Sequence, residues 1–550
     1  LSSVSNVFAN TPIPKPSCDS SKEVLVRFAS SSNRVYVESL DGSRGGCSSL
    51  THIYEALGTE DSPVYPLDAS GEWYLESELY VLDGITLEIY GTSVGGDCDY
   101  LKMKSDTTGH VYVRAHGGSL DFVDTKVTSW DMESNGVDTN HEDGRSYVSA
   151  ISEVLVDPSE TCQGVAKNNM GEARMDIENS EMSYLGYKSS ESWSISYKIR
   201  GICNDLSNTD DYEGLGVYGN ILDSDLHHLY YGHYSYGHIN GVFTGNKVHD
   251  NVVYGFDPHH RSIGLTIENN EVYNNGNHGI ITSKGCDDVN VIGNHVHDNE
   301  GVGIFPHYLS DNMLIKDNLV EDNQGSGIAF LESSGGVVTG NIVRRNVHGI
   351  RMSVGSRDNV VLGNTFEDNS GYDAYTYEGS DSVVEQPDKS LVNNVFFRNT
   401  FSGNKQGFRF DNTVNSQFVE NDVMDAEAFE VNESQGLLLS GNDFPDNMDF
   451  DYTGSCLETS SIDPCGDEPL VIFTSADSDR VLEDVEEFTT STTRTSTTSS
   501  YEFDTPAPIT DFTASPTIAA TQFEDTDAPT PSPSSTVFFS AQPTVATDRG

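Results

Sequence analysis

Six asparagines at near-constant spacing constrain this chain more than any other feature. Asn246, Asn270, Asn294, Asn318, Asn341 and Asn364 stand 24, 24, 24, 23 and 23 residues apart. They sit in the phrases GNKVHDN (245–251), NNEVYNN (269–275), GNHVHDN (293–299), DNLVEDN (317–323), GNIVRRN (340–346) and GNTFEDN (363–369). A second register runs beside them: Gly255, Gly279, Gly303, Gly327 and Gly349 are each followed by Phe or Ile. Within a period, short alternating runs such as GLTIENNEVYNN and HGIITS are separated by Asn, Gly and Asp, with no helical periodicity. Such a repeat predicts an all-β solenoid, a right-handed parallel β-helix with one coil per period. The leucine spacing of a leucine-rich repeat is absent. Side-chain amides stacked at one position can hydrogen-bond up an in-register ladder, so the asparagines are expected to be structural.

One coil departs from the pattern: Tyr254-Gly255-Phe256-Asp257-Pro258-His259-His260-Arg261-Ser262. Successive strand side chains alternate faces, so if Phe256 points in, Asp257 and His259 point out unless the proline breaks the pleat. Proline lacks a backbone donor and suits an irregular site in a parallel sheet. Four residues after the repeat glycine come His259, Ser283, His307 and Leu331. These should form a column, with Lys284 beside it and Arg351 further along. Two imidazoles flanked by cations on one face of a β-helix suit a sugar-acid ligand.

The charge bears on partners. There are 86 acidic against 30 basic residues, a formal net charge of −56. That argues against binding to nucleic acid by phosphate neutralisation. A local groove of Lys and Arg can still take an anionic polymer, against the field of the whole chain. The eight cysteines form no CxxC pair, which argues against a zinc cluster. Disulfides are expected, with Cys162–Cys203 and Cys456–Cys465 as candidate pairs, although spacing does not fix connectivity. No run nears the about 18 apolar residues of a membrane span. The chain opens on Leu without a signal-peptide pattern, as expected of a mature form or a fragment. The cysteines, the sequon Asn432-Glu433-Ser434 and the tail described below point to a secreted glycoprotein of a cell wall or matrix, and a monomer is expected.

In chain order, 1–70 reads as an irregular N-terminal segment and 71–460 as the β-helix, with its regular coils at about 241–370. A polar loop falls at 132–148 and an acidic one at 370–390. Asn394, Asn421 and Asn442 read as degenerate rungs. From 476 to 550 the chain is Thr/Ser/Pro-rich and low in apolar residues, which predicts a disordered or O-glycosylated tail.

The central coils carry a resemblance. YGFDPHHRS (254–262) resembles the DPHD signature of mannuronan C5-epimerases, which turn D-mannuronate into L-guluronate within alginate. TKVTSWD (125–131), GRSYVSAISEV (144–154), MDIENSEMSYLGY (175–187), LYYGHYSYGH (229–238), HGIITSK (278–284) and HGIRM (348–352) are similar to phrases of its bacterial periplasmic and brown-algal members. The similarity runs over roughly 70–370. It implies a parallel β-helix with an open groove for the polymer, a histidine base at His259, and an acid/base tyrosine at Tyr254. The family's carboxylate-neutralising arginine falls on Lys284, which keeps the charge but loses the bidentate fork. The fourth signature position, usually acidic, is His260, to which no role is given. GNHVHDN keeps Asn294 and Asn299 of the family's asparagine-bounded phrase and changes its middle.

The implied reaction removes a proton alpha to a carboxylate and returns one to the opposite face. A cation against that carboxylate lets the enolate-like intermediate form. Lys284 is assigned that task, with Arg261 or Arg351 in support. His259 is the base, an unperturbed imidazole titrating near about 6.5. Tyr254, His307 or water is the acid, and Asp257 fixes a tautomer or contacts substrate. Arg261, Ser283, His307 and Arg351 are the expected substrate-binding residues. A lyase begins with the same abstraction and then expels the 4-O leaving group; a non-catalytic polysaccharide-binding β-helix is the other alternative. His278 and His348 read as parts of the repeat. The sequence marks no metal ligand, no calcium-binding nonapeptide repeat and no cofactor.

Overall fold

The computed structural model describes residues 13–154, 170–200, 216–379, 389–452, 456–459 and 470–474, apart from Asp61, Ala69, Ser190 and Glu191. Cys162, Cys203 and Cys465, the side chain of Cys456 and the tail from 476 fall outside them, and so do the expectations placed there.

The chain winds as a parallel β-helix. One coil runs through strands Phe256–His259, Thr266–Glu268 and Glu271–Tyr273, and Ile280–Ser283 then stacks beside the first. Repetition builds three long sheets of 17, 16 and 16 strands among the described residues. In the regular coils each strand sends one or two apolar side chains inward. Phe256, Ile280, Ile304, Ile328 and Ile350 form one interior column at no more than 1% exposure. Ile267, Val291, Ile315 and Val338 form the second, and Val272, Val296, Val320 and Val343 the third, all at 0%. Because each coil repeats the same register, like stacks on like and the interior is continuous along the axis.

The asparagines close the turns. Asn246, Asn270, Asn294, Asn318 and Asn341 each donate Nδ2–H to the Oδ1 of the next, at 2.9–3.0 Å. A parallel ladder runs through Asn251, Asn275, Asn299, Asn323 and Asn346. Beyond Asn364 the first ladder continues through Asn399, Asn421 and Asn442. Asn394, read above as the next rung, instead belongs to a third ladder with Asn359. The loosening of the pattern is therefore an insertion: 35 residues separate Asn364 from Asn399, after which the coils resume.

The repeat glycines are needed for close approach. A Cβ on Gly255, Gly279 or Gly303 would lie 2.4, 2.8 or 2.7 Å from the carbonyl oxygen of the next glycine in the column. At the N-terminal end, helix Leu50–Leu57 is capped by the Ser49 hydroxyl, which accepts from the His52 N–H at 3.2 Å, and buries Leu50 and Ile53. A disulfide joins Cys18 to Cys47 there, a pairing that spacing did not single out. Cys98 and Cys286 are buried free thiols.

Candidate active site

Strand Phe256–His259 lies in the first sheet between Tyr231–Tyr236 and Ile280–Ser283. Phe256 is 0% exposed in the interior, and alternation turns Asp257 and His259 to the outer face. The register pairs Tyr236 with His259, His259 with Ser283, Ser283 with His307, and His307 with Leu331. The polar column read from the glycine spacing is therefore present. Pro258 and Pro306 lie within their strands. Each of these strands registers with the following coil only at its ends, Phe256 with Ile280 and His259 with Ser283, then Ile304 with Ile328 and His307 with Leu331. A residue with no N–H cannot complete the ladder, so the outer face is locally irregular where the histidines stand.

The strands end in left-handed turns. Lys284 (φ 62°) donates its backbone N–H to the His307 carbonyl at 3.2 Å. One coil earlier His260 (φ 34°) puts its Nδ1 in hydrogen-bond contact with Nδ1 of His259. The Ser283 hydroxyl and His307 Nδ1 meet at 3.3 Å. Burial pushes His259 well below its ordinary range, and positive charge on His260, Lys284, His307 and Lys198 pushes it further the same way. The imidazole is consequently held toward its uncharged form, with a lone pair free to take a proton, while the Lys198 and Lys284 charges act on it.

Beside this column the outer face holds a second apolar cluster, separate from the interior: Trp193, Tyr230, Tyr231, Tyr234, Tyr254, Ile281, Val302, Phe305 and Ala329. Tyr254 is stacked between Tyr231 at 5.1 Å and His278 at 5.4 Å. Burial, then the nearby Asp257 charge, holds its phenol above the ordinary range, so it stays protonated. Asp257, itself 2% exposed, is register partner of Tyr234, whose ring is 5.7 Å from that of His259. Lys198 Nζ lies 5.2 Å from the Tyr234 ring centre.

The structure thus gathers His259, Ser283, Lys284 and His307, and sets Asp257 with Tyr254. Arg261 sits in the following turn (φ 56°), where its charge acts on Asp287. Arg351 is in the Asp257 column but four strands on, about 19 Å at about 4.8 Å per strand. Its guanidinium covers Phe305 at 5.6 Å. His278 and His348 are structural, accepting at Nδ1 from the backbone N–H of Val302 (2.9 Å) and Tyr372 (3.0 Å). Lys198 and Tyr234 were not singled out, nor was the contact of His260. Extending the glycine register back to Gly232, whose Cβ would lie 2.3 Å from the Gly255 oxygen, places Tyr234 beside Asp257. Three side chains with no role in that site also converge on the third sheet, Glu271, His295 and His297, with ligand atoms within 4.8 Å of one another.

Comparison with known proteins bears on the fold and on the central coils. A family described as right handed beta helix region matches residues 198–328 and 234–386. Mannuronan C5-epimerase AlgG of Azotobacter vinelandii is 45% identical over 136 residues, 24% of this chain and 26% of that protein. The mannuronan C5-epimerase of Pseudomonas fluorescens is 32% identical over 176 residues, 31% of this chain and 28% of the relative. That of Pseudomonas putida is 28% identical over 255 residues, 45% of each. The matched regions therefore span well under two thirds of these relatives. The crystal structure of the periplasmic alginate epimerase AlgG superposes with a TM-score of 0.54 at 19% identity, covering 81% of this chain and 85% of that one, which shows a shared fold. This chain is accordingly a right-handed parallel β-helix whose central coils are similar to those of mannuronan C5-epimerases.

Proposed function

We propose that the chain is a mannuronan C5-epimerase, acting on polymannuronate outside the cell. The observation that carries this reading is the outer-face column of His259, Ser283 and His307, with His260 against His259 and the charges of Lys198 and Lys284 acting on its imidazole. A base amid cations is what abstraction alpha to a carboxylate needs, because the cations offset the charge that moves onto that carboxylate. Similarity to mannuronan C5-epimerases over the coils that bear these residues supports the substrate class.

In this mechanism a mannuronate unit lies along the outer face with its carboxylate toward Lys284. His259 takes the C5 proton, and the C–H electron pair moves into the C5–C6 bond while negative charge builds on the carboxylate oxygens. A protonated phenol on the opposite face, Tyr254, then gives a proton to C5, and the configuration inverts. Ser283 and His307 hold sugar hydroxyls or carboxylate, and Asp257 keeps Tyr254 in its acid form. Arg261 and Arg351 act on the charges of neighbouring sugar units. No atom is lost from the polymer, and no cofactor is required. The Cys18–Cys47 disulfide suits a secreted protein acting as a monomer in wall or matrix.

Incubation with soluble polymannuronate, followed by proton NMR and size-exclusion chromatography, tests the reading. Guluronate signals at unchanged chain length are expected. Unsaturated ends with falling size would make the protein a lyase, and binding with neither change would make it a carbohydrate-binding β-helix.

A further inference from the structure

The third sheet turns an unassigned group of side chains outward, on the same coils as the candidate active site but on another face. Glu271 and His295 are register partners on adjacent strands, and His297 lies two residues beyond His295 on the same side. Their ligand atoms all fall within 4.8 Å of one another. From this arrangement we infer that Glu271, His295 and His297 form a binding site for a divalent transition-metal ion, with zinc as its natural probe, which clips two successive coils together.

The hydrogen bonds around the histidines are those of metal ligands. His297 Nδ1 is paired with the Asp298 carboxylate at 2.7 Å, which fixes the proton on that nitrogen. Its Nε2 is buried with no hydrogen-bond partner, and it faces Glu271 Oε1 at 3.7 Å. His295 is treated the same way from the other side: Nε2 is held by Glu321 Oε1 at 2.9 Å, which leaves Nδ1 as its ligand atom. A carboxylate behind each imidazole sets the tautomer and raises the basicity of the nitrogen that faces the ion. Two ligands on one tetrahedral zinc stand about 3.3 Å apart, given bonds of about 2.0–2.1 Å. The gap between Glu271 and His297 therefore has only a few tenths of an ångström to close. The two imidazoles now stack at 4.0 Å, and an ion would draw them out of that stack by rotation about χ2.

A neighbouring coil shows that this is not the general habit of the face. His249 stands in the same column as His297, but both its nitrogens are paired with carboxylates, Asp225 at 2.9 Å and Asp250 at 2.7 Å. The orphaned nitrogen occurs where a second histidine and a glutamate converge. Two imidazoles and one carboxylate form a borderline donor set that suits zinc, copper or nickel, whereas calcium prefers oxygen ligands alone. His295 is 37% and Glu271 42% exposed, so water can complete the coordination shell, and the chain's large negative charge favours any cation.

Zinc titration of the untagged full chain, stripped of metal with a chelator and free of polymer, tests the inference independently of the epimerase reading. Calorimetry should find one high-affinity zinc per chain, with a rise in Tm on saturation. Both should be lost in His297→Gln and in Glu271→Gln, and Asp298→Asn should weaken binding about tenfold or more by removing the orienting carboxylate. Calcium should produce neither effect. Val296, which packs inward between the two histidines, is untouched, and the metal-free Tm of each variant checks its fold; Glu271→Gln carries the test if His297→Gln melts early. Undiminished zinc uptake in both variants, or zinc binding with no rise in Tm, would overturn the site.

Discussion

At the scale of single residues, the site depends on charge placement. In the proposed mechanism Lys284 supplies the cation against the substrate carboxylate, at the position where the resemblance expects an arginine. Lys284→Ala should lower kcat by about 10²–10³-fold, the cost of losing one group aimed at developing charge. Lys284→Arg should retain most of the activity; a fall as deep as that of the alanine variant would remove the carboxylate-neutralising role. Two tyrosines are candidates for a part in the reaction: Tyr234, whose ring lies 5.7 Å from that of His259, and Tyr254, on which the Asp257 charge acts. If Tyr254 gives the second proton, Tyr254→Phe should cut kcat with little change in KM, and Tyr234→Phe should mainly raise KM. The reverse pattern in steady-state kinetics would exchange their roles. His259, with its affinity for protons depressed, must be neutral to act, so the acid limb of kcat/KM should lie well below pH 6.5. A limb near or above the ordinary histidine value of about 6.5 would contradict the electrostatic account.

At the scale of strands and turns, stability rests on polar groups paired inside a solenoid. Asn294 accepts from both the backbone N–H and the side-chain amide of Asn270, and itself donates to the Ile267 carbonyl and to Asn318. Asn294→Ala should cost about 1–3 kcal/mol or more in urea unfolding, since it leaves buried groups without partners. Asp373 adds a pH-dependent cost. Burial raises its carboxyl to about 7, despite hydrogen bonds from Asn369 and Asn404. Its folded form binds a proton more tightly than its unfolded form, so its contribution favours folding at low pH and is lost as pH rises toward about 7. Asp373→Asn should therefore raise Tm more at pH 8 than at pH 5. Equal gains at both would show that the carboxyl is not perturbed. The histidines inside the solenoid act oppositely. His238, held at about 3 by burial, contributes stability above about pH 6.5 that is lost as pH falls toward its folded value.

Much of this element-level pattern was legible in the sequence, and the exceptions have physical reasons. The Gly255–Gly349 register placed His259, Ser283 and His307 in one column because backbone contact between glycines fixes the stacking of the coils. Lys198 was out of reach because its coil shifts register between Ser194 and Ser196 and is separated from the regular repeats by residues 201–215. Asn394 was misplaced because an insertion interrupts the count. The Cys18–Cys47 bridge depends on where the N-terminal segment lies against the first coil, which spacing does not record. The 24-residue repeat sets Glu271 opposite His295, but His295 and His297 were read only as parts of the asparagine-bounded phrase, because the linear pattern does not show that the three side chains turn their ligand atoms toward one another.

At the scale of the whole molecule, the proposed function requires a chain of net charge −56 to hold a polyanion. The repulsion is spread over the surface and acts at long range, whereas the attraction of Lys198 and Lys284 is local. Salt screens the first over about 10 Å at about 0.1 M and the partly enclosed second much less. KM for polymannuronate should therefore fall as NaCl rises from low concentration to about 0.1 M, with kcat nearly constant. A steady rise in KM over that range would mean that diffuse attraction dominates. The inferred zinc clip lies on a different sheet from His259, so EDTA should lower Tm without abolishing epimerisation of soluble substrate.

The most direct test of the central claim is proton NMR of polymannuronate incubated in D₂O with the wild type and with His259→Ala. The account predicts guluronate from the wild type, with deuterium at C5 of the inverted units, and none from the variant. Guluronate formed equally by His259→Ala would show that another residue removes the C5 proton, and a wild type that leaves the polymer unchanged would refute the epimerase reading itself.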